Sequence, residues 1–375
     1  MKLTFGIINN SPFNNNHKTP VSCGSFLFNT MQVDYIVVGL GLAGIAFCEQ
    51  LEKHNKSFVV FDSGTNISSV VAGGLYNPVT LKRFTASWNA LKQIETARPF
   101  YENLEKKLHV KLDYKTPVFR IFASVEEQNL WFEASDKPVL EKFIVPKIKQ
   151  SQNQHIHAPF GMGEVEHSGR IDTALLIASY KDYLIKRNRL IENDFEYQLL
   201  EIDEPFKYQS FTAKNIVFSE GFGLKKNPWF SHLPLVGNKG ELLTIKSTEL
   251  KTDLIVKASV FIIPLGNDLY RVGATYNWKD KDTNPTPEAK QELTEKLDKI
   301  LNCAYEVVHQ EAGVRPTTKD RKPLVGLHPQ IKNMFVLNGL GTRGVMIAPS
   351  VAEDLFDFIE KNNPLDKEID IDRFL

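Results

Sequence analysis

Cysteine is scarce in this chain: three occur among 375 residues, Cys23, Cys48 and Cys303, and no two form a C-x-x-C pair. So odd and widely spaced a set excludes a disulfide framework or a zinc ribbon as the basis of the fold, and a reducing cytoplasm is the simplest setting. Charge of one sign is missing too. Lys+Arg and Asp+Glu stand at 45 each, so the overall balance favours neither nucleic acid nor an anionic membrane as a partner. No apolar run approaches the roughly 18 residues of a spanning helix, and no membrane partner is expected. None of the nine histidines stands in a recognisable catalytic dyad or metal signature. His155 and His157 fall in a loop-like stretch, and no metal is expected.

What is present is the composition of a globular protein, 42% apolar and 24% charged, over a length that suits one large or two ordinary domains. Residues 1–30 stand apart, with Asn9-Asn10, Asn14 to Asn16, Pro12 and Pro20, little periodicity and no apolar segment of signal-peptide quality. They read as a disordered extension, with Met31 as a candidate initiator.

Tyr35 to Asp62 carries the strongest signal. Tyr35 to Val38 is a run of β-formers, Gly39-Leu40-Gly41-Leu42-Ala43-Gly44 reads G-x-G-x-x-G, and Ile45 to Lys53 continues as a helix. Phe58 to Phe61 then reads as a second strand, ending at Asp62, about 20 residues beyond the last glycine. The three glycines differ in what they allow. Gly39 permits a tight turn, Gly41 lets the backbone approach a pyrophosphate, and Gly44 lets the helix sit close to the sheet. The N–H groups of the helix N-terminus then hold the phosphates. A carboxylate at Asp62 can accept hydrogen bonds from ribose hydroxyls.

Further along, Ser68 to Pro78 is too glycine-rich for a core strand and suggests close backbone approach to a ligand. Trp88, Leu91, Ile94, Ala97, Tyr101, Leu104 and Leu108 share one helix face. Val118 to Ser124 predicts a strand, Glu126 to Ala134 and Thr173 to Lys186 predict helices, and Ile216 to Gly223 predicts a strand running into a glycine turn. Between Gly240 and Tyr276 strands follow one another without helices, at Glu241 to Lys246, Ser259 to Pro264 and Tyr270 to Thr275, the pattern of an antiparallel sheet. Thr286-Pro287 caps a helix carrying Leu293, Leu297, Ile300 and Leu301. Met334 to Asn338, Gly339 to Gly344 and Val345 to Lys361 read as a last strand, loop and helix.

With these pieces in order, and with Ala72-Gly73-Gly74, Phe218-Ser219-Glu220-Gly221, the G-x-R-P-x-T-x-D-x-x-P run from Gly313 to Pro323, and Asn338 to Gly344, the chain resembles the D-amino-acid oxidase family of flavoproteins over roughly Met31 to Lys361. That family includes glycine oxidase, sarcosine oxidase and the oxidase module of the enzyme that modifies the tRNA wobble uridine. The resemblance implies an α/β fold: a discontinuous Rossmann-like FAD-binding domain (31–85, 155–235 and 319–375) interleaved with an α+β substrate domain (86–154 and 236–318) built on an antiparallel sheet. It implies non-covalent FAD, since no cysteine falls near Arg315. The implied cofactor contacts are Gly39, Leu40, Gly41, Leu42, Ala43, Gly44, Asp62, Ser63, Gly73, Gly74, Leu75, Phe195, Glu220, Gly221, Gly341, Thr342, Arg343, Gly344, Val345 and Met346.

For the reaction the resemblance implies oxidation of the C–N bond of a small amine carrying a carboxylate, an amino acid or N-alkyl glycine, with O2 or another acceptor reoxidising the flavin. Arg315 is implied to clamp the carboxylate, a geometry that suits a guanidinium, with Arg343, Phe261 and Tyr276 around it. Phe261 departs from the pattern: it stands where glycine oxidase-like members have a tyrosine, which argues against glycine as substrate. Tyr276 offers a hydroxyl from another direction. The alternatives are oxidative removal of a carboxymethyl group from a modified tRNA uridine, the one case with a nucleic-acid partner; a 2-hydroxy acid dehydrogenase, which wants a general base; and a flavin-binding protein without catalysis.

Overall fold

The computed structural model describes residues 30–65 and 67–375. Apart from Thr30, the extension expected to be disordered lies outside the described residues.

A seven-stranded sheet runs in the order Leu190–Ile191, Phe58–Phe61, Met31–Val38, Phe211–Phe218, Met334–Asn338 and Leu324–Leu327, with Phe206–Tyr208 attached to Phe211–Phe218. The first five strands are parallel neighbours. Their sequences are near-continuous apolar runs because both faces are covered. Tyr35 and Val37 enter a core with the helices Leu42–Lys53, Ala90–Leu108, Thr173–Ile185 and Gly344–Lys361, while Ile36 and Val38 enter a second core with Phe206, Phe230 and Ile371. This is the Rossmann-like α/β arrangement the glycine motif predicts.

The second large sheet has eight strands in the order Glu306–Arg315, Asn238–Lys246, Leu269–Gly273, Phe261–Gly266, Ile255–Lys257, Val118–Ile121, Met162–Val165 and Ile144–Lys149. All neighbours are antiparallel except Ile255–Lys257 beside Val118–Ile121. Side chains alternate across it. Leu243, Ile245, Ile262 and Val272 pack with helix Pro287–Leu297 on one face. Gly240, Leu242, Phe261, Ile263 and Arg315 occupy the other, which meets the glycine segment: a Cβ on Gly73 would stand 3.2 Å from Ile263 Cδ1. Leu75–Tyr76, Gly169–Ile171 and Asp113–Tyr114 form a small sheet of their own.

Some sequence expectations need correction. The segment Ser68 to Pro78, read only as too glycine-rich for a core strand, holds a helical turn at Ser68–Val71 and a two-residue strand at Leu75–Tyr76. Ile300 and Leu301 lie beyond their helix, which ends at Leu297, although both still enter the same core. Val118–Ile121 is shorter than expected, and the strands Ile144–Lys149 and Met162–Val165 were not anticipated.

The close approach at the glycine turn yields a test. A Cβ on Gly44 would lie 2.0 Å from the Gly39 carbonyl oxygen, so Gly44→Ala must push the helix away from the turn at a cost of about 1–3 kcal/mol. Thermal denaturation and the flavin-to-protein absorbance ratio should both fall; an unchanged ratio would show that this contact does not shape the cofactor site.

Candidate functional site

The glycine turn lies at the carboxyl end of Met31–Val38. Gly39 adopts φ +98°, and a Cβ there would meet the Ser219 carbonyl oxygen at 2.6 Å, so only glycine fits between the two parallel strands. Gly41 is the N-cap of helix Leu42–Lys53; among the described residues no side chain supplies the usual cap bond, and the first turn holds no acid. The Leu42 N–H donates to Ser69 Oγ at 3.3 Å. Asp62 Oδ1 accepts from the Leu40 N–H and its Oδ2 from the Gly64 N–H, both at 3.0 Å. Asp62 therefore also braces the glycine turn, with lone pairs left over for a ligand. Ser63 is exposed beside Thr65.

Helix Gly344–Lys361 repeats this arrangement. Its N-cap is Arg343, with no side-chain cap and no acid in its first turn, which contains Val345 and Met346. A Cβ on Gly344 would lie 3.2 Å from Leu42 Cδ1, so the two open helix ends meet. Gly341 adopts φ +59° and donates its N–H to the Pro316 carbonyl at 3.0 Å; Thr342 is exposed. Together the two ends, each without a bond from its N-cap side chain among the described residues, present first-turn N–H groups and two positive dipole ends, a setting for anions.

Other expected cofactor contacts surround this point unequally. Gly74 (φ +70°) abuts the Ile171 carbonyl oxygen, and Leu75 pairs with Arg170. Phe195 stacks on Tyr208 at 4.1 Å and stands edge-on to Phe61 and Phe218, at the end of the sheet that carries the glycine turn. Gly221 is open, with nothing near its Cβ direction. Glu220 is buried; its carboxylate accepts from Tyr197 Oη and Asn227 Nδ2, and burial raises its pKa. Those bonds make it a brace of the turn.

Arg315 ends the strand Glu306–Arg315 and lies flat across Gly240, where a Cβ would stand 2.0 Å from Nη2. Its Nη1 donates to Asn238 Oδ1 at 2.8 Å and to the Thr275 carbonyl at 3.2 Å, and its guanidinium sits 4.9 Å from the Tyr276 ring. Desolvation draws its pKa below the ordinary arginine value, though the group stays charged. Among the described residues no carboxylate pairs with it, whereas Arg271 pairs with Glu311 and Arg373 with Asp320. Arg343 is in the same condition: its Nη2 donates to Thr80 Oγ1 at 2.8 Å, and desolvation lowers its pKa while the nearby Tyr276 phenol opposes that. Residues 1–29, outside the described set, contain no Asp or Glu.

Tyr276 is 62% exposed and Phe261 half-buried. Phe261 aligns with Gly273 on one side and Lys257 on the other, and Lys257 Nζ sits 4.6 Å over its ring. Sequence reading missed Asn238, Gly240, Thr80 and Lys257. A glycine inside the strand Asn238–Lys246 was the one available signal, since such a residue marks close approach by another group. A groove of about 680 Å³ lies elsewhere, against Phe119, Met162 and Leu250 on the opposite face of the sheet from Arg315.

Burial, with the Arg120 and Lys296 charges adding to it, brings Lys257 down to about 8 from the ordinary 10.5. The unfolded chain therefore holds more protons between those values, and stability increases as pH rises through that window. Lys257→Met removes the buried ammonium. Its melting temperature should exceed that of the wild type at about pH 7 and the gain should shrink by about pH 10; a gain that stays constant would rule out the buried charge as its source.

Residues 34–357 match the family model described as FAD dependent oxidoreductase. Glycine oxidase of Bacillus subtilis is 22% identical, over 90% of this chain and 94% of its own. The tRNA 5-methylaminomethyl-2-thiouridine biosynthesis bifunctional protein MnmC of Idiomarina loihiensis is 30% identical over 129 residues, 32% of this chain and 21% of that protein. The corresponding match to the Marinobacter nauticus protein spans 55% of its length. In structure, iminodiacetate oxidase of Chelativorans sp. BNC1 superposes with a TM-score of 0.75 at 16% identity, over 89% of this chain and 98% of the other. No helix among the described residues is long and apolar enough to cross a membrane.

FAD fits the residues present: the glycine turn and the start of helix Leu42–Lys53 suit its diphosphate, the start of helix Gly344–Lys361 stands beside them as a second positive end, and the Ser219 hydroxyl beside the turn is buried without a partner among the described residues. From the glycine turn to the arginines, the chain is a member of the FAD-dependent oxidoreductase family of the D-amino-acid oxidase type.

Proposed function

We propose that the protein oxidises the C–N bond of a small amine carrying a carboxylate, an amino acid or N-substituted glycine. The observation that carries this reading is Arg315: a partly buried guanidinium, fixed through Nη1 and without an acid partner among the described residues. Asn238 and Thr275 hold one edge of the fork, which leaves Nη2 and Nε to receive a carboxylate by parallel hydrogen bonds. Leu242, Ile263 and Phe261 form an apolar surface on the same face, which keeps water from the carbon next to the amine and holds the substrate in one orientation. The chemistry the bound flavin supplies is acceptance of a hydride from that carbon, the imine left behind being hydrolysed by water. Helix end Gly344–Lys361 and Arg343 offer positive potential where negative charge accumulates on the cofactor. Phe261 cannot hydrogen-bond a carboxylate, so Arg315 makes that contact with Tyr276 nearby.

Non-covalent attachment is part of the proposal. Cys48 is buried within helix Leu42–Lys53, its thiol pushed to a high pKa, and Cys303 packs on the opposite face of the antiparallel sheet. A second reading, removal of a carboxymethyl group from a tRNA uridine, draws on the MnmC relatives and on two exposed aromatics able to stack on bases, Tyr276 beside Arg315 and Trp278 two residues further along the chain.

Anaerobic mixing with amino acids, N-alkyl glycines, hydroxy acids and a carboxymethylaminomethyl-uridine tRNA, read by flavin bleaching, separates these readings. Bleaching by a small amino acid supports the first, by the tRNA alone the second, and by hydroxy acids alone neither. With the identified amine, Arg315→Met should lose about 3 kcal/mol of binding, roughly 100-fold in kcat/KM. Gly240→Ala, which displaces Arg315 without removing it, should lose activity in the same direction. Full activity in both variants would end the assignment of Arg315 to the substrate.

A further inference from the structure

We propose a divalent metal site of the zinc class on the far face of the antiparallel sheet, formed by His155, Glu249 and Cys303. An imidazole nitrogen, a carboxylate oxygen and a thiol sulfur from these residues lie within 4.8 Å of one another. They arrive from three distant segments: the loop before Met162–Val165, the turn after Asn238–Lys246, and the stretch after helix Pro287–Leu297.

Bonds between their neighbours impose the convergence. The His155 carbonyl accepts from the Asn302 N–H at 2.9 Å, the His157 N–H donates to the Ile300 carbonyl at 2.7 Å, and Ile156 forms a bridge with Leu301. The His155 segment is thereby fastened alongside Cys303. Asn153 joins it to the second segment: its Oδ1 accepts from the His155 N–H at 2.9 Å and its Nδ2 donates to the Leu250 carbonyl. Ser247 closes the triangle, donating to the Ala304 carbonyl at 2.7 Å and accepting from the Leu250 N–H at 3.3 Å. None of these bonds uses a ligand atom. The Cys303 sulfur has only a weak contact with Ser247 Oγ, at 3.7 Å.

A mixed nitrogen, oxygen and sulfur set suits zinc and its neighbours rather than magnesium or calcium, which take oxygen. Metal–ligand lengths of about 2.0–2.3 Å place ligands about 3.5 Å apart in a tetrahedron, so small side-chain rotations complete the site. Binding breaks the Cys303 S–H bond, the proton passes to solvent, and thiolate and carboxylate together offset the two positive charges. The fourth position faces the groove of about 680 Å³ that His155 and Glu249 line, leaving it to water or a small anion. The site stands apart from Arg315, on the opposite face of the sheet.

The test uses the flavin-loaded protein and does not depend on its activity. Cobalt(II) should give tetrahedral visible bands with a thiolate-to-metal charge-transfer band in the near ultraviolet, and zinc should displace it. Cys303→Ser and His155→Ala should each weaken zinc binding at least about tenfold with flavin absorbance unchanged, and Glu249→Gln serves if either variant fails to fold. A cobalt spectrum lacking the thiolate band, or equal zinc affinity in wild type and Cys303→Ser, would overturn the site.

Discussion

The structure depends on two helix ends left uncapped beside each other. Helices Leu42–Lys53 and Gly344–Lys361 start from different strands of the parallel sheet, and Gly344 stands against Leu42. Unsatisfied N–H groups and two like-oriented dipoles make this point costly when empty and favourable around an anion. Much nearby serves to keep it open. Gly39 and Gly44 let turn, strand and helix close on one another, Asp62 braces the turn from the next strand, and Glu220 braces the turn after Phe211–Phe218.

Facing it is a sheet face with the opposite economy. Other arginines of the described residues, such as Arg271 and Arg373, pair with carboxylates, yet Arg315 and Arg343 have hydroxyl, amide and carbonyl hydrogen-bond partners only. A cation withdrawn from water without a counterion raises the energy of the ligand-free state and so sharpens discrimination for anions. Gly240 makes this possible: a strand position without a side chain lets the guanidinium lie flat on the backbone.

The parts readable in the sequence were the local ones. The βαβ unit, the Thr286 cap and the closing helix each depend on residues a few positions apart, and their patterns survive in the fold. Ile144–Lys149 escaped notice because it is an edge strand with Pro146 and two lysines, where a one-sided pattern dissolves. The partners of Arg315 were invisible for another reason. Asn238 is 77 positions away, and only the antiparallel register sets the two opposite each other. Lys257 carries no mark in the sequence that separates it from a surface lysine; the strand pairing is what sets it over Phe261.

The meeting of Gly344 with Leu42 has a consequence for biosynthesis. The dinucleotide turn leaves the ribosome early, but the second half of its cradle lies near the other end of the chain. The two halves coexist only once the chain around Gly344 has also emerged, so cofactor capture trails synthesis of the turn, and a nascent chain halted between them would expose an unfinished nucleotide cleft to chaperones.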